Sequence, residues 1–213
     1  MVATRAYTKV DKLERKQEIL MSAEDLFIKQ DGQFPTVSAI CTYNSMAKGT
    51  VYLYFSNKDE IILALLEKYF NQWLDPKNVN DFDLNIEKVV DSLLGFITRN
   101  PYKFRLINTN NFLENNAGSE KVINFYQTVM ESVEKLSKYI SRNLDQPIEV
   151  CQQWLQDCYY YLQGLWKIAN PSYQNKVALK TINEGVNFQS LVPEFETEAK
   201  RFMTRLWRQM AQS

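Results

Sequence analysis

The stretch that most constrains this chain runs from Thr36 to Lys58, TVSAICTYNSMAKGTVYLYFSNK. It reads as two short helices around a tight turn. Val37, Ile40 and Cys41 fall at i, i+3 and i+4, one apolar face of a first helix. Thr36, directly after Pro35, carries a hydroxyl that can cap that helix. The pattern breaks at Tyr43-Asn44-Ser45, where asparagine tolerates the left-handed backbone of a sharp turn. A second helix starts near Ala47 or Lys48 and ends near Phe55, with Val51 and Phe55 facing inward. Lys48, Thr50, Leu53 and Tyr54 then lie largely on other faces. A cation, a hydroxyl and a phenol pointing out from a short helix suit phosphates and base edges in a major groove.

The run KGTVYLYFSNKDEI, with Thr36 and Ile40 before it, resembles the tetracycline-repressor (TetR) family of bacterial transcription regulators. The match rests on Thr36, Ile40, Lys48, Gly49, Thr50, Tyr52, Tyr54, Phe55, Asn57, Lys58 and, conservatively, Ile61. Two positions depart from the family pattern. The turn glycine is Ser45, and the serine that would cap the second helix is Ala47. A left-handed serine costs about 1 kcal/mol and a missing cap about as much, so either Asn44 or Ser45 takes the strained position. The resemblance implies that Thr36, Thr50, Tyr52 and Lys58 touch phosphates, which positions a DNA-binding head without reading sequence. It implies that Lys48, Gly49, Leu53 and Tyr54 face the groove. There Lys48 can donate to guanine, Gly49 lets the backbone approach, and Tyr54 can reach a base or a phosphate.

Lys+Arg and Asp+Glu balance at 25 each, so whole-chain charge points to no nucleic-acid partner and any DNA affinity must be local. A modest basic arm holds Arg5, Lys9, Lys12, Arg15 and Lys16 against Asp11 and Glu14. The three cysteines, Cys41, Cys151 and Cys158, form no C-x-x-C pair, which fits buried thiols in a reducing cytoplasm. No apolar run is long enough for a membrane span, and no export signal is read at the start. There is no histidine, the usual metal ligand and commonest general base. The six glycines are scattered, so no phosphate loop is present. No catalytic residue, metal site or cofactor is expected.

Along the chain every strong period is helical. The first helix, Val10 to Gln30, has the face Leu13, Ile19, Leu20, Ala23, Leu26 and Phe27 and a left-handed stop at Gly32. A helix from Asp59 to Leu74 joins head to body. Further helices follow from Ile86, Pro101, Ser119, Pro147 and Pro193, with a weaker one over Gln174–Gln189. The face of the Ser119 helix is Val122, Tyr126, Val129, Met130, Val133, Leu136 and Ile140. The expected fold is all-α. Residues 1–57 form a three-helix, helix-turn-helix DNA-binding head, and residues 58–213 a larger helical domain for effector binding and dimerisation.

The aromatic body, with Phe104, Phe112, Tyr126, Trp154, Tyr159 and Trp166 on or near apolar faces, has the composition of either an ordinary core or a small-molecule pocket. The resemblance favours a pocket for an apolar or aromatic effector. Helices 151–169 and 194–210 carry more apolar surface than a small body buries and are the expected homodimer interface. The expected protein is therefore a cytoplasmic bacterial repressor, released from a palindromic operator on double-stranded DNA by a small molecule. The rival readings are a helical interaction protein with a vestigial helix-turn-helix and, more remotely, an enzyme.

Overall fold

A computed structural model describes residues 9–30, 32–79, 83–108, 117–171 and 193–212. The described residues are helical and contain no strand. The helices are α1 (Lys9–Lys29), α2 (Val37–Tyr43), α3 (Lys48–Tyr52), α4 (Lys58–Trp73), α5 (Ile86–Arg99), α6 (Pro101–Asn108), α7 (Ser119–Leu144), α8 (Ile148–Ala169) and α9 (Phe195–Met210), with a 3-10 turn at Pro76–Val79. The expected helix over Gln174–Gln189 lies outside the described residues, as do Arg5 and Phe112.

Two compact units emerge: Met1–Asn71 with Tyr102–Val129, and Gln72–Pro101 with Met130–Ser213. The first unit thus takes in most of α4, all but the first residue of α6 and the start of α7, besides the head. Its core holds Ile19, Ala23 and Phe27 of α1, Ile40 of α2, Val51 and Phe55 around α3, and Ile61 and Leu65 of α4, all 3% exposed or less. Gly32 ends α1 as the sequence requires: its φ is +78° and its N–H donates to Phe27 O at 2.9 Å. Leu13, expected on the buried face of α1, is instead 61% exposed, because the buried stripe of α1 starts only at Ile19.

The second unit is built on α9, which packs against both α8 and α5. The indole N–H of Trp154 donates to Met203 O at 3.0 Å, and its ring meets Trp207 edge-on at 5.4 Å. Tyr161 stacks on Phe202 at 3.7 Å, and Trp166 meets Phe195 edge-on at 5.2 Å. On the α5 side, Lys200 pairs with Asp91 and Arg208 with Glu87. Trp73 donates its indole N–H to Leu93 O at 3.0 Å and stacks near Phe96.

The buried face of α7 departs from the expected one at Tyr126 and Met130, while Leu136 and Ile140 are buried as expected. Phe125, Ser132, Leu136 and Ile140 are buried, whereas Tyr126 and Met130 are 56% and 70% exposed. Adjacent Phe125 and Tyr126 make the stripe ambiguous by one residue, a rotation of about 100°. The fully apolar ring is the one buried.

Candidate nucleic-acid interface

The helix-turn-helix is built from the expected parts. Thr36 caps α2 by accepting the Ala39 N–H at 3.1 Å. At the other end, the Met46 N–H donates to Cys41 O at 2.9 Å and the Ser45 N–H to Thr42 O at 3.2 Å. This paired closure is the Schellman motif, whose residue just past the cap must be left-handed. That residue is Ser45, at φ 52°, while Asn44 sits at φ −93°, ψ 0°. Asn44 is held there by its side chain: Oδ1 accepts from the Ser22 hydroxyl at 2.6 Å and Nδ2 donates to Ile40 O at 3.2 Å. The pin to α1 takes Asn44 out of contention and moves the strain one residue on.

Left-handed serine costs about 1 kcal/mol, less than the burial of one large core side chain such as Val51, so packing overrides it. Ser45→Gly is therefore expected to raise stability by about 1 kcal/mol, read as a higher thermal midpoint. An unchanged or lower midpoint would contradict strain at this position.

α3 begins at Ala47 with no side-chain cap. Its backbone runs on past Tyr52 as a helical turn, with the Tyr54 and Phe55 N–H groups both donating to Val51 O at 3.0 Å. Val51 at 0% and Phe55 at 3% exposure anchor the segment to the core. The opposite side carries Lys48 and Gly49, both exposed, with Tyr52 at 46% and Leu53 at 81% exposure. Thr50 and Tyr54 are half-buried. The Lys48 ammonium lies 5.9 Å from the Tyr52 ring centre, a cation–π distance that also brings the charge beside the phenol.

Lys58 is exposed at the first turn of α4, 6.0 Å from the Phe34 ring. Its position is fixed by a reciprocal cap not foreseen from the sequence, although N-x-x-E is its local signature. Asn57 Oδ1 accepts the Glu60 N–H at 3.0 Å, and the Glu60 carboxylate accepts the Ser56 N–H at 2.9 Å. Thr36 is exposed at the start of α2. Every residue assigned to DNA thus lies at the N-cap of α2, in α3 and the turn that continues it, or at the start of α4, and none is fully buried. Lys9 opens α1.

Within the first unit, α1, α4 and α6 share a polar cluster. Glu24 pairs with Lys68 at 2.6 Å, and Lys103 lies 5.4 Å over the Tyr69 ring. Burial, and then the Glu24 carboxylate, push the Tyr69 hydroxyl well above its usual pKa; burial lowers that of Lys103. Arg105 lies over Gly32, where an added Cβ would come within 2.9 Å of its side chain.

The aromatic candidates divide between the units. Phe104, at 0% exposure, and Tyr126 belong to the first; Trp154, Tyr159 and Trp166 to the second. Trp154 is a core residue, 0% exposed with its N–H satisfied. Tyr159 and Trp166 are half-buried, and the Tyr159 ring sits 6.2 Å from Trp73. The three cysteines are buried and unpaired; burial pushes the Cys151 thiol up to about 11 and raises that of Cys158 further, which keeps both from acting as nucleophiles. Among the described residues no group of acidic, cysteine or histidine side chains could hold a metal, and no helix is long and apolar enough to cross a membrane.

An all-helical chain with a basic, exposed helix-turn-helix is a DNA-binding regulator in its architecture. Comparison with known families agrees: residues 19–65 match the bacterial regulatory proteins of the tetR family, and residues 68–211 match the tetracyclin repressor-like C-terminal domain. The chain belongs to the TetR family of DNA-binding transcription regulators. No curated protein matches its sequence significantly.

Proposed function

We propose that the protein is a cytoplasmic repressor that binds an inverted-repeat operator as a homodimer and leaves it when a small apolar or aromatic effector binds the C-terminal domain. The observation that carries the DNA half of this reading is the two-sided α3 segment. Val51 and Phe55 lock it to the head while Lys48, Gly49, Tyr52 and Leu53 are left exposed. Thr36, Thr50, Tyr52 and Lys58 contact phosphates; Lys48, Gly49, Leu53 and Tyr54 face base edges. Dimerisation is assigned to α8 and α9. Both spend apolar surface on each other, yet α8 still presents Tyr160 and Ile168 at 57% and 58% exposure. The effector reading rests on family membership, with the half-buried aromatics Tyr159 and Trp166 of the second unit as its candidate contacts.

Selection of bound duplexes from a random pool tests this directly. An enriched inverted repeat is expected, its half-sites about 34–36 Å apart or at a related spacing. Failure to enrich any sequence would favour the vestigial-motif reading, and a single unrepeated site would exclude the symmetric dimer. On the selected operator, Lys48→Ala should relax preference at one position and cost about 1–3 kcal/mol per half-site. Lys58→Ala should weaken binding to all sequences and flatten the salt dependence. If both variants bind like wild type, the assignment of α3 and its flank is wrong. Loss of the gene should raise transcription from promoters carrying the operator; a fall would make the protein an activator. A compound that releases the operator must bind the free protein more tightly than the DNA-bound form, and equal affinity for both would remove it as an effector.

A further inference from the structure

Among the described residues Leu53 is the most exposed large apolar side chain, at 81%. A single exposed leucine ordinarily needs no explanation. This one is held out by its backbone. It caps α3 in right-handed helical geometry, φ −70° and ψ −20°, with its N–H shared between Gly49 O at 3.2 Å and Thr50 O at 3.3 Å. The buried anchors Val51 and Phe55 lie two residues to either side, so the segment cannot roll to hide it without exposing them. One turn earlier on the same side is Gly49, where an added Cβ would meet nothing within 4 Å. An apolar knob therefore stands beside a patch free of side chain, with the Lys48 cation at the start of the helix.

We infer that Leu53 reads a thymine by packing on its C5-methyl group, which makes it a specificity-determining residue of the recognition segment. This rests on the proposed function, in which α3 enters the major groove. The chemistry selects the base: donors and acceptors line that groove for every base pair, but the thymine methyl is its apolar landmark. Lys48, five residues before, carries a charged head suited to phosphate or guanine rather than to a methyl group.

The test uses the full-length protein and its selected operator, with thymines replaced one position at a time by deoxyuridine, which lacks only the methyl. Wild type should lose about fourfold in affinity at one position of a half-site, and roughly fifteenfold when both half-sites are changed, the value of burying one methyl group each time. Leu53→Ala should bind the thymine operator more weakly and should no longer distinguish deoxyuridine at that position. Because Leu53 is outside the core, the variant should keep the wild-type thermal midpoint. Operator binding with no deoxyuridine-sensitive position, or with equal sensitivity in Leu53→Ala, would overturn the inference while leaving DNA binding intact. Concentration-dependent self-association abolished by Leu53→Ala, without any methyl effect, would assign the side chain to a second copy instead. Absence of operator binding by wild type would be a failure of the underlying functional reading, seen before any base is changed.

Discussion

Trp154→Ala is expected to destabilise the second unit by about 3–5 kcal/mol, the usual cost of deleting a fully buried large aromatic. Three contributions converge there. The indole is 0% exposed, so its whole transfer free energy is lost. Its edge-on contact with Trp207 at 5.4 Å disappears, and the donor to Met203 O is removed. The α8–α9 packing would loosen at one end, from which Tyr161–Phe202 and Trp166–Phe195 continue the same seam. Trp154→Phe should cost less, because it keeps most of the volume and loses the N–H. Denaturant titration, followed by fluorescence from the remaining tryptophans, measures both. An unfolding free energy for Trp154→Ala within about 1 kcal/mol of wild type would mean that the site collapses freely. The result also bears on ligand binding. A side chain that carries this much of the fold is unsuited to be probed by truncation, so effector experiments belong at Tyr159 or Trp166, which are half-buried.

The head was the legible part of the sequence because its determinants are local. Thr36 capping α2, Gly32 closing α1, and Val51 with Phe55 as inner residues each follow from spacing within one turn or two. The turn itself was legible only to within two residues. Choosing Ser45 over Asn44 for the left-handed position depends on Ser22, more than twenty residues earlier, whose hydroxyl engages Asn44. No local rule contains that hydrogen bond. The same limit appears in α7, where Phe125 and Tyr126 are interchangeable to a period count and only the partner surface decides which is buried. For the aromatic body the residues taken alone favour an ordinary core, and only the family resemblance favours a pocket. Trp154 is fully buried, its indole N–H donating to a backbone carbonyl on α9, 49 residues away, a partner that no local pattern names. The reciprocal cap of Asn57 and Glu60 was within reach of a local rule, and it orders the turn that presents Lys58.

Gly49→Ala should separate folding from DNA binding by moving the two in opposite directions. Glycine at the second position of a short helix has no internal justification here. Its φ is not left-handed, and a Cβ would stand in open space. Alanine should therefore stabilise the free protein by about 0.5–1 kcal/mol, through helix propensity and a less flexible unfolded chain. A residue that the fold would rather lose is explained by what approaches from outside. On the proposed function, the bare backbone of Gly49, beside Lys48 and one turn before Leu53, would let the helix sit close to a base edge or phosphate, and a methyl group would push it back. Hydrogen bonds weaken steeply with such displacement, so operator affinity should fall at least tenfold, about 1.4 kcal/mol or more. The opposite signs make the experiment decisive: the thermal midpoint of Gly49→Ala should hold or rise while its operator complex weakens. Equal operator affinity at a raised midpoint would show that the α3 backbone does not approach the duplex at Gly49, and would move the contact surface toward Tyr52 and Lys58. A lowered midpoint would instead place a packing partner over Gly49, where none is found.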